Sequence, residues 1–482
     1  MIRAIIFVAF VSGLSAGFLS ASGSRAHGCA FPSAPTAYEA SQDRLAYIAG
    51  IEFAAHNQLF PNDTYFGTPN VEMGTRDNRR ISDTPFIPPA ILKANGWIES
   101  GLTQAASDVP FSAVGPALVS FDCGHGIMQI TSGMTRGDDG GRASKQQALV
   151  ATHYLYNIAR GAVILADKWN SAPAARPIAG TDTDSDPRIL ENWYFAVWSY
   201  NGFTGPGANR SNHPLTPNYA IWPRSGFSCG PADDGYGHAY SQDPYPEIVF
   251  GCATRPPSVD GTQLWTPQDI SLPDLNDPLW SGPLALANFT TANWFADMDM
   301  PSPQPTHLDE TPPLPEGGVA YLLGAPVLQV SATAVPEGST QVTISNIGSS
   351  ILSWRTKAGA PWIAVDKIAG VAIAPDTPCA PEAPCERSAT ITITTGVAQG
   401  AGWVDIESLT TGETARIYIV TARYDVNCDG ASTTVDALLL LQFIAGVAPT
   451  LECQQAGDAN DDGSIDALDA AIMLQFDAGL FH

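Results

Sequence analysis

Charged residues are scarce in this sequence, and positively charged residues are the scarcest. Only 15% of the 482 residues are Asp, Glu, Lys or Arg, and 23 Lys and Arg stand against 48 Asp and Glu, a formal net charge of −25. Nucleic acids and anionic membrane surfaces are bound by Lys and Arg that neutralise phosphates, so this composition argues against both as partners. It is typical of a soluble extracellular protein or of one that binds cations.

Long apolar runs are also missing, except at the N-terminus. Arg3 precedes the apolar stretch 4–19, and small residues follow, as in a secretory signal peptide cleaved after Ala21 or Ala26. No other run reaches the roughly 18 apolar residues that a membrane-spanning helix needs. The sequence therefore predicts a signal peptide over 1–26, no membrane span, and a secreted protein that is extracellular or associated with the cell wall.

The eight cysteines show no CxxC spacing, and the eight histidines show no zinc-ligand spacing, which argues against redox and zinc sites. In an exported protein the cysteines instead predict disulfides. For Cys29 a lipid attachment is the alternative. Proximity along the chain suggests the pairs Cys379–Cys385, Cys428–Cys453 and Cys229–Cys252, which leaves Cys29 with Cys123.

The remaining composition predicts a multidomain protein. Behind the signal peptide we distinguish a first domain over 27–297, a Pro-rich linker over 298–317, a second domain over 318–422 and a third over 423–482. The first mixes helical periodicity with long Gly, Pro and Asn loops. In the second, apolar residues alternate with polar or small ones, which predicts an antiparallel β-sandwich. Its Pro361-Trp362-Ile363 turn, following Trp354, loosely resembles bacterial immunoglobulin-like modules.

A helix that ends in a carboxylate is predicted within residues 87–101. Two prolines suit its first turn, and apolar residues recur on one side up to Ile98. Glu99 then lies in the last turn beside Trp97. Apolar neighbours desolvate a carboxylate and raise its pKa, so Glu99 could hold a proton for donation near neutral pH.

Two further motifs follow in a fixed order. Gly126-Ile127-Met128-Gln129 comes first, and Ala196 with Tyr200-Asn201-Gly202 comes later. Together with Glu99-Ser100, this order resembles the lytic transglycosylases related to goose-type lysozyme, over about residues 85–210. The resemblance implies a mainly α, lysozyme-like catalytic domain that acts on peptidoglycan glycan strands.

The resemblance also implies roles for individual residues. Glu99 would protonate the glycosidic oxygen between N-acetylmuramic acid and N-acetylglucosamine. It would then act as a base toward the muramyl 6-hydroxyl and give a 1,6-anhydro product. Tyr200 would hydrogen-bond Glu99 and steer it. The residues implied in substrate binding are Ser100, Met128, Gln129 and Asn201.

The sequence departs from this family in the stretch before the second motif. Glu99 and Gly126 are separated by 27 positions, more than is usual in the family. Within this stretch Asp122 could serve as a second carboxylate that binds a water, which would make the enzyme a muramidase-type or chitinase-type hydrolase. The alternative is a loop held by a disulfide at Cys123. A non-catalytic glycan-binding scaffold component is a third possibility.

The C-terminal residues contain two acidic loops that start 33 positions apart. In each, oxygen-bearing side chains take positions 1, 3, 5 and 12, and Gly takes position 6, as in the calcium loop of the EF-hand. This duplication, with Asp at position 12, resembles a type I dockerin. It implies a small all-α, paired EF-hand-like module that binds two Ca²⁺ ions. The predicted ligands are Asp425, Asn427, Asp429 and Asp436 in one loop, and Asp458, Asn460, Asp462 and Asp469 in the other.

The resemblance implies a cohesin-bearing scaffold protein as the partner. Positions 10 and 11, which make cohesin contacts in dockerins, are Thr434-Val435 in one repeat and Ala467-Leu468 in the other. Because the two pairs differ, the sequence leaves open whether the two repeats can bind a cohesin in two equivalent, symmetry-related orientations. The alternative function is a calcium-stabilised end without a cohesin.

Overall fold

The structure, a computed structural model, describes most of the chain behind the N-terminus. Residues 1–28, which contain the predicted signal peptide, lie outside the described residues. No helix in the described part is both long and apolar enough to cross a membrane. The described residues are 29–40, 43–75, 78–82, 85–171, 184–202, 212–214, 229, 244–274, 276, 302–309, 314–381, 385–396, 402–420, 422–460 and 462–480.

The N-terminal part is built around helices that share one apolar core. The helices are α1 (Leu45–Ala55), α2 (Pro89–Ser100), α3 (Lys145–Thr152), α4 (Tyr154–Asn170), α5 (Tyr194–Asn201) and α6 (Tyr245–Thr254). Capping residues fix some of their ends: Ser144 and Gln147 form a capping box at the start of α3. Large side chains such as Trp169, Trp193 and Phe53 are fully buried between the helices.

Short strands are interleaved with these helices. They are β1 (Thr36–Glu39), β2 (Glu72–Thr75), β3 (Asn78–Ile81), β4 (Ala113–Pro116), β5 (Ser258–Val259) and β6 (Thr262–Gln263). Three antiparallel pairs result, β1 with β4, β2 with β3, and β5 with β6. The predicted fold class, with a mainly α lysozyme-like catalytic domain, is therefore wrong, because the structure mixes helices and sheets. Strands of two to four residues contain too few alternations to produce a period-two signal.

The region that follows forms two packed sheets. One has the strand order β12-β10-β14-β15-β8, and the other β11-β13-β9-β7. Most neighbours are antiparallel, but β15 pairs in parallel with β8, so the region is not the purely antiparallel sandwich of the predicted fold class. The strands are β7 (Leu328–Val330), β8 (Ala334–Pro336), β9 (Ser339–Asn346), β10 (Ile351–Ala358), β11 (Ile363–Val365), β12 (Ala369–Ile373), β13 (Ser388–Thr395), β14 (Gly402–Ser408) and β15 (Thr414–Val420).

The core of this sandwich lies between the two sheets. Val342 and Ile344 on β9, Ile391 on β13 and Ile417 on β15 are fully buried, and their polar neighbours point outward. Trp354 on β10 is also fully buried and packs in the same cluster. Alternation of this kind gives each strand one apolar face toward the core.

The sandwich packs directly against the N-terminal part. The guanidinium of Arg355 on β10 donates to Asp139 and to the carbonyl oxygen of Ala143, both at 3.0 Å. The hydroxyls of Thr152 and Ser353 lie 3.1 Å apart across the same contact. A short helix, α7 (Ala320–Leu323), lies just before the sandwich in the chain. The predicted boundaries at 297, 317 and 422 stay predictions.

The C-terminal module contains two further helices, α8 (Thr434–Ile444) and α9 (Ala467–Asp477), which pack on each other. Its small core includes Leu440, Met473 and the edge-to-face pair of Tyr424 with Phe476. All four predicted disulfides are confirmed: Cys29–Cys123, Cys229–Cys252, Cys379–Cys385 and Cys428–Cys453. The last of these packs against Ala334 at the edge of the sandwich.

Candidate functional site

Glu99 lies at the C-terminal end of α2, where the sequence predicts it. Pro89 occupies the first turn, and the helix ends at Gly101, which takes the left-handed conformation with φ 69°. Ile98 is buried in the core, whereas Trp97 and Glu99 are only partly buried. The helix end therefore holds one carboxylate at the border between the apolar core and solvent.

The environment of Glu99 keeps its carboxyl group near the point of half-protonation at neutral pH. Burial raises its pKa to about 7, a hydrogen bond donated by the Tyr245 hydroxyl lowers it, and the negative charge of Asp122 raises it. The Tyr245 hydroxyl also lies 2.8 Å from the side-chain oxygen of Asn95. A carboxyl with this pKa can donate a proton and take one back, as a general acid and base must.

The segment from Gly126 to Gln129 packs against the end of α2. Gly126 has φ 64°, and a Cβ atom there would lie 2.5 Å from the side chain of Gln104 and 2.6 Å from that of Asn157. The same Asn157 side chain accepts the backbone N–H of Met128 at 2.8 Å. Ser100 donates to the carbonyl oxygen of Ile127 at 2.8 Å. These contacts bring the first two sequence motifs together.

The other predicted site residues lie close by, but several make contacts different from those expected. Tyr200 donates to the carbonyl oxygen of Met128 at 2.7 Å, and Met128 itself is fully buried in the core. The Gln129 side chain donates to the carbonyl oxygen of Gly126 at 2.8 Å. Asn201 accepts from the side chain of Asn212 at 2.8 Å. The roles of these residues toward a substrate stay predictions.

Sequence reasoning missed Tyr245, which makes the hydrogen bond to Glu99 that the family resemblance assigned to Tyr200. Tyr245 is the first residue of α6 and follows Pro244, a proline that starts the helix. It lies 146 positions from Glu99 in the chain. The Pro-Tyr-Pro sequence predicts the start of a helix, but it does not indicate which carboxylate the tyrosine hydroxyl hydrogen-bonds.

Asp122 is exposed, and its carboxylate accepts from the Ser120 hydroxyl at 2.5 Å. The next residue, Cys123, is joined to Cys29 by a disulfide, which fixes this end of the loop. Asp122 is close enough for its charge to raise the pKa of Glu99. The structure is thus compatible with both hypotheses for this stretch, because a disulfide holds the loop and the loop also brings a second carboxylate near Glu99.

In the first acidic loop of the C-terminal module, the oxygen-bearing side chains accept hydrogen bonds from the backbone of the loop. Asp425 and Asn427 both accept the backbone N–H of Asp429, at 3.1 and 2.9 Å. Asp436, from the first turn of α8, accepts the backbone N–H of Val426 at 3.0 Å. Positions 1, 3, 5 and 12 of the loop are therefore tied to one another.

The second loop repeats this arrangement. Asp458 and Asn460 both accept the backbone N–H of Asp462, at 3.1 and 3.0 Å. Asp469, from the first turn of α9, accepts the backbone N–H of Ala459 at 2.8 Å. Two loops 33 positions apart thus have the same internal hydrogen bonds, which indicates a structural duplication.

Three of the loop carboxylates are fully buried, those of Asp425, Asp436 and Asp469. Burial raises the pKa of Asp425, and the charges of Asp436 and Asp429 raise it further against the backbone hydrogen bonds that lower it. Buried carboxylates without a partner cation are unfavourable, so this donor set fits a bound cation.

The side chains alone do not complete such a site. Among the described residues, no three His, Cys, Asp or Glu side chains are grouped to hold a metal ion. The Asn427 and Asn460 amides, backbone carbonyl groups and water are the further oxygen donors that the loops offer. Calcium accepts all of these oxygens at six to eight positions.

Each calcium loop is followed by a helix whose outward side is apolar. On α8, Val435, Leu438 and Leu441 are 50%, 54% and 40% exposed, and on α9 Leu468 and Leu474 are 57% and 41% exposed. Apolar side chains grouped at a surface mark interaction sites. The predicted contact positions thus lie on exposed helix faces.

Solved structures similar to this chain resemble it only weakly. WR4, an MSP family member of C. elegans, shares 10% identity at a TM-score of 0.15, over 20% of this chain and 97% of that chain. The CupB2 chaperone of Pseudomonas aeruginosa shares 10% identity at a TM-score of 0.14, over 19% of this chain and 54% of its own. Domains 4 and 5 of the S-layer protein SbsC share 16% identity with this chain at a TM-score of 0.14, over 20% of this chain and 54% of that chain. TM-scores this low do not identify a function.

No curated protein sequence matches the chain. A family model does match, that of the dockerin type I domain, over residues 423–476. The match covers both acidic loops and both helices that follow them. It confirms the predicted dockerin-like module and, because domains of this type bind calcium, calcium as its cofactor, whereas the predicted number of two ions stays a prediction. The C-terminal module of this protein is a type I dockerin domain.

Proposed function

We propose that this protein is a secreted component that docks, in a calcium-dependent manner, onto a scaffold protein with cohesin domains. The observation that carries the proposal is the duplicated loop and helix of the dockerin domain, with oxygen ligands inside and apolar faces outside. The four disulfides support export to an oxidising compartment.

Two calcium ions are part of this proposal, one for each loop. Asp425, Asn427, Asp429 and Asp436 would bind the first ion, and Asp458, Asn460, Asp462 and Asp469 the second. The identical hydrogen bonds in the two loops support equal roles. A divalent cation would neutralise carboxylates that repel one another, and it would hold the start of each helix against its loop.

The outward face of α8 is the favoured docking face. The two repeats are offset by 33 positions, so the residue of α9 equivalent to Leu438 is Ala471, and the residue equivalent to Ile444 is Asp477. The outward face of α9 is therefore less apolar than that of α8. Grouped apolar side chains at a surface mark interaction sites, and the binding energy concentrates in a few side chains near the centre of a contact. The difference between the two repeats therefore supports one preferred docking orientation, not two equivalent ones.

Leu438→Asp should weaken binding to a cohesin-bearing scaffold by at least about 30-fold, because it places a charge at the centre of the apolar face. The matched control is Ala471→Asp, at the equivalent position of α9, and it should change affinity by less than about threefold. Surface plasmon resonance against a panel of cohesin modules in calcium measures both. Normal binding by Leu438→Asp with loss in Ala471→Asp would assign docking to α9 instead.

A second function, cleavage of glycosidic bonds in peptidoglycan, is supported by the environment of Glu99. A pKa of about 7, a hydrogen bond from Tyr245 and partial access to solvent suit a general acid that protonates the leaving oxygen. A lytic transglycosylase would use Glu99 alone and form the 1,6-anhydro product. The charge of Asp122 near Glu99 favours the alternative, a hydrolase in which Asp122 orients the attacking water.

The rate of cleavage should fall as the pH rises, which gives the pH–rate profile a descending limb on its basic side. The pKa of Glu99 is raised to about 7, so its protonated form is lost as the pH rises through 7, and the rate should fall about tenfold per pH unit above that. Asp122→Asn removes a charge that raises this pKa, so the limb should move to lower pH. Asp108→Asn is the matched control and should leave the limb unchanged.

The products of the same digests separate the alternatives. Mass spectrometry that finds reducing muramyl ends, with a large loss of rate in Asp122→Asn, would support hydrolysis. Anhydro-muramyl ends would support the transglycosylase. The absence of any product from sacculi and from chitin oligomers would contradict catalysis and leave a non-catalytic glycan-binding component.

A further inference from the structure

A cleft with a volume of about 240 Å³ opens where the N-terminal part meets the sandwich. Tyr38 and Tyr154 line it from the N-terminal part, and Tyr321 lines it from α7. The sandwich contributes Ser349, Ser350 and Asp376. These residues belong neither to the Glu99 site nor to the calcium loops, so the cleft has no role in the functions proposed above.

Tyr154 is a buried residue whose hydroxyl faces no hydrogen-bond partner among the described residues. Its side chain is 5% exposed, and its ring packs against Tyr47 and His153, with centroids 5.1 and 5.5 Å away. Yet among the described residues the Tyr154 hydroxyl forms no hydrogen bond, although it lines the cleft. The hydroxyl is not among the fully enclosed polar atoms of the described residues, so it is open to the cleft and available to a ligand there.

The hydroxyl is a neutral donor at physiological pH. Burial raises the pKa of Tyr154 well above its usual range, and the nearby hydroxyls of Tyr321 and Tyr38 raise it further. Tyr38 already donates to the carbonyl oxygen of Pro378 at 2.9 Å. Among the described residues, the tyrosine hydroxyls of the cleft that make no hydrogen bond are therefore those of Tyr154, which is buried, and Tyr321, which is exposed.

The remaining lining residues define the chemistry of a ligand. Tyr321 is 51% exposed, so an aromatic face is open to solvent at the mouth of the cleft. Asp376 supplies carboxylate oxygens, which only accept hydrogen bonds and of which one already accepts the backbone N–H of Ser350 at 3.3 Å. The Ser350 hydroxyl already donates to the carbonyl oxygen of Leu322 at 3.0 Å, whereas the Ser349 hydroxyl, which accepts from a backbone N–H, keeps its proton for a ligand. The lining includes no Lys, Arg or His, which argues against an anionic ligand.

We infer that this cleft binds one neutral hexose unit of a glycan. The sugar ring would stack on Tyr321, one sugar oxygen would accept from the Tyr154 hydroxyl, and a sugar hydroxyl would donate to Asp376. A volume of about 240 Å³ lies below the roughly 300–1,000 Å³ of sites for drug-sized ligands, which restricts the occupant to a single ring. The site lies at the contact between the N-terminal part and the sandwich, so glycan binding there would involve both.

The test is ¹⁹F NMR of the full chain labelled with 3-fluorotyrosine, in a Glu99→Gln background that prevents turnover. Cellotetraose and tetra-N-acetylchitotetraose serve as probes, and the Tyr154→Phe and Tyr321→Phe spectra assign the two resonances. Both resonances should shift along one saturable curve. Tyr154→Phe should weaken binding about two- to tenfold without lowering the melting temperature, because its hydroxyl forms no hydrogen bond to another described residue.

Tyr321→Ala and Tyr321→Phe form a matched pair, because only the first removes the aromatic face. Tyr321→Ala should abolish the saturable shift of the Tyr154 resonance, and affinity measured by calorimetry should be nearly unchanged in Tyr321→Phe. Resonances of Tyr154 and Tyr321 that stay fixed with both probes would overturn the inference. So would a shift that persists with the same affinity in both Tyr154→Phe and Tyr321→Ala.

Discussion

Removal of calcium is expected to unfold the dockerin domain while the rest of the chain stays folded. Each calcium site at 100 times its Kd adds about 2.7 kcal/mol, so two sites add about 5 kcal/mol. At 4–8 °C per kcal/mol for a domain of this size, chelation should lower its melting temperature by more than about 20 °C. The buried carboxylates of Asp425, Asp436 and Asp469 give the physical reason, because without a cation they carry uncompensated charge.

Amide hydrogen exchange of the full chain, with calcium and with EGTA, measures this directly. Peptides from α8 and α9 should lose protection in EGTA, and those from β9 and β13 should keep it. Asp436→Asn and Asp469→Asn are the matched variants, and each should halve the calcium stoichiometry. Protection in α8 and α9 that is indifferent to EGTA would contradict calcium-dependent folding.

Glu99→Gln is expected to reduce glycan cleavage on the order of 10²–10⁴-fold while the fold is kept. The amide has the size of the carboxyl group but can neither give nor take the proton. Because the Tyr245 hydroxyl can also donate to an amide oxygen, a weaker hydrogen bond to this position should persist. Release of soluble muropeptides from purified sacculi, followed by mass spectrometry, measures the loss.

The control for this variant is Glu316→Gln, which changes an exposed carboxylate in the same way and should leave the rate unchanged. Thermal unfolding of Glu316→Gln should match that of the wild type throughout, and that of Glu99→Gln should match it only below about pH 4.5, the ordinary pKa of a glutamate; the wild type should then lose stability relative to Glu99→Gln as the pH rises to about 7. Above pH 7 Glu99→Gln should be the more stable, because ionisation of a carboxyl whose pKa is raised costs folding free energy there. Undiminished cleavage by Glu99→Gln would refute its assignment as the acid.

The sequence was most informative where function depends on residues close together in the chain. The oxygens of each calcium loop lie within 12 positions, so their spacing alone indicates a cation site, and the family model confirms the domain that contains them. The apolar surroundings of Glu99 were likewise visible, because Ile98 and Trp97 are its neighbours. Its hydrogen-bond partner was not, since Tyr245 comes from α6 and reaches Glu99 only through the packing of α6 on α2.

The fold was predicted less well, for a related reason. Pairing of β1 with β4 joins Thr36 to Pro116 across the whole of α1 and α2, and no local pattern indicates such a partner. The parallel pairing of β15 with β8 and the contact of Arg355 with Asp139 are equally non-local. Periodicity reports which face of an element is apolar, but it does not report what that face packs against.

Calcium-dependent docking is tested most directly by the binding of the full chain to immobilised cohesin modules in calcium and in EGTA. We expect saturable binding to at least one cohesin module in calcium, its complete loss in EGTA, and its recovery when calcium is restored. Binding of equal strength in calcium and in EGTA, or no binding to any cohesin module by a chain whose two calcium sites are filled, would contradict the proposed docking function.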